Sequence, residues 1–261
     1  MIAEPQLANR PARIHVLMYH SISNDPGPTC MSPELFASQM SALHDCGYHI
    51  ATLGDLLEAQ AGRGRLPSRC AIITFDDAFA DFRSAAAPVL SARGYTATVF
   101  APTAYIGKDA SWHGAGKSGS RLLTWSEMRE LMGAGFEFGS HARRHLDLTT
   151  LAPNQLSAEL TESRSQLESE LGAPTRFFAA PYGRINPAVR REISEWYDLA
   201  VGTRLDTSTQ QSDVFNLPRL EMHYFRDARL WRAFLEGRAD TYFSVRKFAR
   251  AVRSVASTIG L

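Results

Sequence analysis

Cysteine is scarce in this chain of 261 residues. The three cysteines, Cys30, Cys46 and Cys70, are dispersed and form no CxxC motif, which argues against a disulfide framework and indicates a reducing compartment. No run approaches the roughly 20 apolar residues of a membrane span. The formal net charge is only +1, so we expect no nucleic-acid partner.

Nucleotide-binding and export signals are also missing. Neither a GxGxxG sequence nor a P-loop lysine motif follows a predicted strand, which argues against a nucleotide-binding fold. Residues 1–13 include Glu4, Pro5, Arg10 and Pro11 and lack the apolar core of a signal peptide. We therefore predict a cytoplasmic protein with a short N-terminal extension, 1–13.

Short apolar runs alternate with helical patterns along the whole chain. The predicted strands form one series of eight, at 14–20, 48–52, 71–75, 95–101, 136–139, 176–180, 199–202 and 217–222. Helices are predicted between them, including one at 79–93, and in a tail at 227–261. This alternation predicts parallel strands with right-handed crossovers, and one unbroken series favours a single α/β barrel domain over two open sheets.

Titratable residues follow several predicted strands, where a parallel barrel gathers its chemistry. Asp76 and Asp77 end the buried run 71–75, and two carboxylates there are costly to desolvate without a metal, a cation or a catalytic role. Turn formation is the alternative explanation. His20 ends the first strand, and Tyr182 follows the strand at 176–180.

His141 and His145 are four residues apart. On a helical turn this spacing would place both imidazoles on one side, although it also arises by chance. With one aspartate they would make a set of two nitrogens and one oxygen, typical of a catalytic Zn²⁺ site. One of the adjacent aspartates, Asp76 or Asp77, would then bind the metal and the other would act as general base.

Three short segments resemble motifs of the polysaccharide deacetylase family, also called the NodB-homology family. They are residues 74–77 (TFDD), 140–145 (SHARRH) and 181–183 (PYG), within a similarity that spans roughly 14–221. The resemblance implies a distorted (β/α) barrel of about seven strands. It also implies removal of acetyl groups from N-acetylated sugars, with O-acetyl groups of xylan as an alternative. A third possibility is a carbohydrate-binding member with weak catalysis.

The resemblance also implies a role for each motif residue. Asp77, His141 and His145 would hold one divalent ion, with Zn²⁺ preferred and Co²⁺ or Ni²⁺ as alternatives. Asp76 would be the base, and the backbone N–H of Tyr182 would stabilise the oxyanion. We assign substrate binding to Pro181, Trp112 and Arg219.

The chain departs from the family pattern at three places. Ala78 stands where the family usually has glycine, and residues 178–180 (FAA) replace the usual arginine before the third motif. The arginine that orients the base is therefore either missing or supplied by Arg176, Arg184 or Arg219. The leucine-any-histidine motif that carries the general acid in many members is not evident near the C-terminus.

The general acid has two candidates. Residues 16–21 (VLMYHS) resemble the first strand of the poly-N-acetylglucosamine deacetylase branch, in which a histidine at the position of His20 is the acid. We assign His20 on this basis, with His223 as the alternative.

Residues 242–261 combine an apolar face that includes Val245 and Phe248 with basic residues on another face. This pattern predicts either packing on the barrel or peripheral contact with the inner face of the membrane, which would suit a lipid-linked sugar. The partner is otherwise a glycan or glycan precursor, and the sequence leaves the oligomeric state open.

Overall fold

The computed structural model describes residues 13–113 and 121–259, with side chains in the last helix only as far as residue 250. The predicted extension therefore lies outside it, except for Arg13. The strands of the described part are β1 (Ile14–Tyr19), β2 (Ser21–Ile22), β3 (Cys30–Met31), β4 (His49–Ile50), β5 (Cys70–Phe75), β6 (Thr98–Ala101), β7 (Glu137–Ser140), β8 (Phe177–Ala179), β9 (Leu199–Leu205) and β10 (Leu217–Glu221).

Eight α-helices surround these strands in the described part. They are α1 (Pro33–Asp45), α2 (Leu53–Gln60), α3 (Ala87–Ser91), α4 (Trp125–Gly133), α5 (Pro153–Leu171), α6 (Pro187–Trp196), α7 (Ala228–Leu235) and α8 (Asp240–Ile259). Local signals set their starts. Ser32 Oγ accepts a hydrogen bond from Leu35 N at α1, and Thr124 forms a capping box with Glu127 at α4.

Seven parallel strands close a barrel, in the order β1-β10-β9-β8-β7-β6-β5 and back to β1. The predicted (β/α) barrel of about seven strands is thereby confirmed. One of the eight predicted strands, that at 48–52, is not part of the closed barrel. It corresponds to β4, which pairs with Cys70 and Ala71 at the start of β5, while β6 pairs with Thr74 and Phe75 at the end of β5. It is an appended strand and takes no part in closing the barrel.

The predicted helix at 79–93 is wrong at its start. Phe79 forms an isolated antiparallel bridge with Leu122, and Ala80 N donates to Arg121 O at 2.8 Å, so the backbone is extended at the predicted helix start. A π-helical turn at Phe82–Ala86 precedes the short α3. The connection after β5 is therefore fixed beside the carboxyl end of the barrel.

The C-terminal segment packs on the barrel through α7. Trp231 is fully buried, stacks near Phe234, and its indole N–H donates to Gln39 O in α1 at 3.2 Å. In α8, by contrast, the side chains of Val245 and Phe248 are largely exposed. Within the described part of the chain, no helix combines the length and hydrophobicity needed to cross a bilayer.

Replacing Trp231 with alanine should destabilise the protein by about 3–5 kcal/mol, because the change leaves a large cavity between α7 and the barrel. The free energy of unfolding in urea measures this. Trp196→Ala is the matched control, since Trp196 is 38% exposed and its loss should cost about 0.5 kcal/mol or less. Equal losses in the two variants would show that α7 does not belong to the cooperative fold.

Candidate active site

Strained backbone marks the carboxyl end of the barrel. The non-glycine residues with left-handed φ in the described part all follow β5, β7 or β8, and they are Asp77 (72°), Ala78 (54°), Ala142 (58°), His145 (52°) and Tyr182 (59°). Each such residue costs about 1–2 kcal/mol, so the rest of the structure must hold them in place. Ala78 therefore adopts a conformation that glycine takes freely, which accounts for the family's usual residue there.

Asp77, His141 and His145 converge as the sequence predicts. The Nε2 atoms of His141 and His145 lie 3.5 and 3.2 Å from Asp77 Oδ1, and all three side chains are buried. Asp77 Oδ1 has no hydrogen-bond partner among the described residues. Burial raises the pKa of Asp77, but the two imidazoles outweigh it and hold the pKa well below its usual value. This arrangement of donors fits a divalent cation.

A backbone carbonyl orients the first of the two imidazoles. His141 Nδ1 lies 2.7 Å from Ala179 O, an atom that can only accept a hydrogen bond. The proton is therefore assigned to Nδ1, which leaves the lone pair of Nε2 directed at Asp77. Such outer contacts both select the tautomer and fix the plane of a metal-binding histidine.

The two histidines do not lie on a helical turn, contrary to the expectation from their spacing. Residues 141–145 form an irregular loop in which Ala142 and His145 are left-handed. Ser163 Oγ in α5 donates to Ala142 O at 3.0 Å. Glu159, one turn earlier, accepts hydrogen bonds from the backbone N–H groups of Arg143 and Arg144 at 3.0 and 2.8 Å. Helix α5 therefore holds the loop in its strained conformation.

Sequence reasoning missed Glu159 and Ser163. Both are almost fully buried, although both are polar. The signal was present, because they share the helical spacing of the buried residues Leu156 and Leu160. A carboxylate on a buried helix face requires partners, and the histidine loop supplies them.

Two aromatic rings contact His145 from different directions. Trp112 stacks on it at a centroid distance of 4.5 Å and Tyr182 meets it edge-on at 4.7 Å. Trp112 thus supports a candidate ligand, and its predicted contact with substrate stays a prediction. Pro181 is buried and the adjacent Tyr182 is exposed, and the predicted contact of Pro181 with substrate stays a prediction.

Arg219 reaches Asp76 from β10. Its Nη1 and Nη2 atoms donate to the two carboxylate oxygens at 2.7 Å each, and its Nε donates to Gly202 O at 2.7 Å. Burial raises the pKa of Asp76, but Arg219 outweighs it and the net pKa is lowered. Arg219 is fully buried, which contradicts the expected substrate contact and agrees with the alternative of orienting Asp76. Arg176 and Arg184 pair instead with Asp198 and Asp147.

His20 lies on the same side of the site as Asp76, with its Nε2 4.0 Å from Asp76 Oδ2. Ser21 Oγ and Ile22 N, in the segment after His20, both donate to Asp81 at 2.6 and 3.1 Å. His20 and His223 border a common cavity of about 20 Å³, which is room for a single water molecule. Both candidate acids therefore line one cavity, and of the two only His20 has an ion-pair distance to Asp76 within the described residues.

A closed barrel with an aspartate–histidine–histidine cluster at the carboxyl ends of its strands defines a class of candidate metallohydrolases. Residues 63–197 match the family described as polysaccharide deacetylase, and the chain belongs to that family. Members of this family are hydrolases that act on acetylated polysaccharides, and membership gives this chain the same general activity. The matched segment includes Asp76, His145 and Tyr182 but neither His20 nor Arg219.

Several known proteins resemble this chain over most of its length. YxkH of Bacillus subtilis (strain 168), provisionally named a polysaccharide deacetylase, is 28% identical over 87% of this chain and 77% of its own. The structure of the Streptococcus pyogenes deacetylase PplD in complex with acetate has 25% identity and a TM-score of 0.71, covering 81% and 93% of the two chains. IcaB from Ammonifex degensii shares the fold, at 21% identity, a TM-score of 0.74 and coverages of 86% and 96%.

Replacing Glu159 with alanine should weaken the affinity of the cluster for Zn²⁺ about 10–100-fold, because it releases the loop that carries both histidines. Competition with a chromogenic chelator measures this, and circular dichroism confirms that the variant is folded. Glu159→Gln should lose less affinity, since its amide oxygen still accepts from the loop.

Glu162→Ala is the matched control on the same helix, because the side chain of Glu162 is 55% exposed and pairs with the side chain of Arg143 at 3.1 Å. An unchanged Zn²⁺ affinity in Glu159→Ala would contradict the role of α5 in holding the loop.

Proposed function

We propose that this protein is a metal-dependent hydrolase that removes acetyl groups from N-acetylated sugars of a polysaccharide, an oligosaccharide or a glycan precursor. The observation that carries the proposal is the convergence of Asp77, His141 and His145 beside Asp76, which Arg219 keeps ionised. Family membership supports it, and the acetate bound by PplD is what a deacetylase releases.

Asp77, His141 and His145 would hold the ion. Two imidazole nitrogens and one carboxylate oxygen leave coordination positions open, which favours Zn²⁺, with Co²⁺ and Ni²⁺ as alternatives. When bound, the ion supplies Lewis-acid polarisation of the acetyl carbonyl and lowers the pKa of a water molecule.

Asp76 accepts the proton of the attacking water on its carboxylate. Because the pKa of Asp76 is lowered, the carboxylate is ionised at neutral pH, and it loses this capacity only as pH falls through the lowered value. Arg219 fixes both oxygens, so the carboxylate cannot rotate away from the site. The backbone N–H of Tyr182 would donate to the developing oxyanion.

His20 gives its proton to the leaving nitrogen. An amide requires this step, because an unprotonated amine is a poor leaving group, whereas an ester depends on it less. His223 is the second candidate, since its Nδ1 is buried without a partner among the described residues and it borders the same small cavity. The predicted cytoplasmic location and the membrane contact through 242–261 stay predictions.

Replacing Asp76 with asparagine should lower acetate release from chitooligosaccharides by a factor of about 10²–10⁴ while bound metal is retained, because Asp76 lies outside the ligand cluster. Acetate release and metal content are measured on the same sample. Acetylated xylan, assayed in parallel on the parent enzyme, separates amide from ester hydrolysis.

The substitution leaves Arg219 buried without a counterion, which would cost about 3–5 kcal/mol of stability. The double variant Asp76→Asn, Arg219→Met removes both charges and provides a folded reference. Full turnover in a metal-loaded Asp76→Asn variant would show that another group is the base.

The two candidate acids are separable by their effect on turnover. A general acid delivers its proton to the leaving nitrogen, so its loss should lower kcat/KM for an N-acetylated sugar by a factor of about 10²–10⁴. We expect this for His20→Gln and not for His223→Gln. His44→Gln, on the exposed side of α1, is the control. The opposite pattern would transfer the role to His223.

A further inference from the structure

Asp81 binds the two residues that directly follow His20. One of its carboxylate oxygens, Oδ2, accepts a hydrogen bond from Ser21 Oγ at 2.6 Å, and the other, Oδ1, accepts one from Ile22 N at 3.1 Å. The first bond is short, as is typical of a hydroxyl that donates to a carboxylate. Ser21 and Ile22 are both buried, so open water does not compete for these donors.

The local helix does not account for this aspartate. Asp81 stands directly before the helical turn Phe82–Ala86. An aspartate in such a position commonly accepts hydrogen bonds from the first N–H groups of the helix. Among the described residues, no N–H group of this turn binds the Asp81 side chain. Its carboxylate is directed to the start of β2 instead.

The backbone on both sides of Asp81 is held in place. Ala80 N donates to Arg121 O at 2.8 Å. Phe82 is buried in the core, with its ring centroid 4.8 Å from that of Phe75. The carboxylate therefore has a rigid support, and it can restrain the segment that it binds.

His20 lies between two cross-links to the segment 76–81. On one side Asp76 N donates to Tyr19 O at 2.9 Å, and on the other side are the two bonds of Asp81. The imidazole Nε2 of His20 lies 4.0 Å from Asp76 Oδ2, which is too far for a hydrogen bond to fix the ring. The location of the ring relative to Asp76 therefore depends on the backbone that the two cross-links hold.

We propose that Asp81 is a positioning residue for His20. It fixes the segment after His20 to the connection after β5, and it thereby holds the imidazole where its proton reaches the leaving nitrogen. Asp81 acts through His20 and not by contact with the reacting atoms. This inference rests on the proposed function, in which His20 is the general acid.

Asp81→Ala removes both acceptors. It should lower kcat for acetate release from chitooligosaccharides about 10–100-fold with little change in KM, because a displacement of about 1 Å can cost about 10²-fold in rate. Hydrolysis of 4-nitrophenyl acetate by the same samples should be unchanged, since 4-nitrophenolate leaves without a proton. A loss of fold or of metal would lower both rates, so this difference separates a positioning role from a purely structural one.

Two further variants grade the effect. Asp81→Asn should retain most of the turnover, because its amide oxygen still accepts from Ile22 N and its amide nitrogen can donate to the Ser21 hydroxyl. Ser21→Ala breaks one of the two bonds and should give an intermediate loss, which provides a test if Asp81→Ala does not fold. Asp25→Ala is the matched control, since Asp25 is exposed, lies in the same segment and accepts from Ser23 Oγ at 3.2 Å.

A double variant tests whether Asp81 acts through His20. Combining Asp81→Ala with His20→Gln should give the same amide turnover as His20→Gln alone, because a positioning residue has no effect once the group that it positions is gone. A further loss in the double variant would overturn the proposal. Unchanged amide turnover in a folded Asp81→Ala variant, or an equal loss of amide and ester hydrolysis, would also overturn it.

The ring signals of His20 in proton–nitrogen correlation spectra test the proposal without turnover. Their absence in His20→Gln assigns them. We expect them to shift or broaden in Asp81→Ala and to stay unchanged in Asp25→Ala. This result, combined with no acetate release by the parent enzyme, would overturn only the proposed function. Unchanged His20 signals in Asp81→Ala would overturn the positioning role.

Discussion

The buried ion pair between Asp76 and Arg219 is the interaction on which the organisation of the site depends. Two charges in the barrel interior are expensive to desolvate, and a buried pair of this kind adds little net stability. Its value is positional, because paired hydrogen bonds of 2.7 Å leave the carboxylate a single orientation. Removal of either partner would leave an uncompensated charge, so the pair constrains both β5 and β10.

The residues of the candidate active site come from two groups of barrel strands. Asp76, His20 and Arg219 follow or belong to β5, β1 and β10, which are neighbours because β1 pairs with both of the others. The candidate metal ligands and Tyr182 come from the ends of β5, β7 and β8 on the other side. Asp76 and Asp77 stand at the junction of the two groups. Their adjacent positions at the strand end direct one carboxylate towards each group of residues.

The strained residues of the candidate site are held in place by contacts with nearby segments. Left-handed backbone at Asp77, His145 and Tyr182 is unfavourable in isolation, and each turn has a specific restraint. Glu159 and Ser163 restrain the histidine loop, and Gly183 allows its turn to approach β9 closely. His20 and Arg219 lie beyond the matched segment, residues 63–197, although both side chains lie close to Asp76.

The amino-acid sequence alone determined the alternation of strands and helices, the capped helix starts and the clustering of acids and histidines at strand ends, because each follows from residues close together in the chain. Tertiary structure decided that β4 stays outside the barrel, that the histidine loop is irregular, and that Arg219 and not Arg176 or Arg184 orients Asp76. Arg219 and Asp76 are 143 positions apart, so only closure of the barrel brings them together. Local periodicity carries no information on that closure, because it depends on how all seven strands pair.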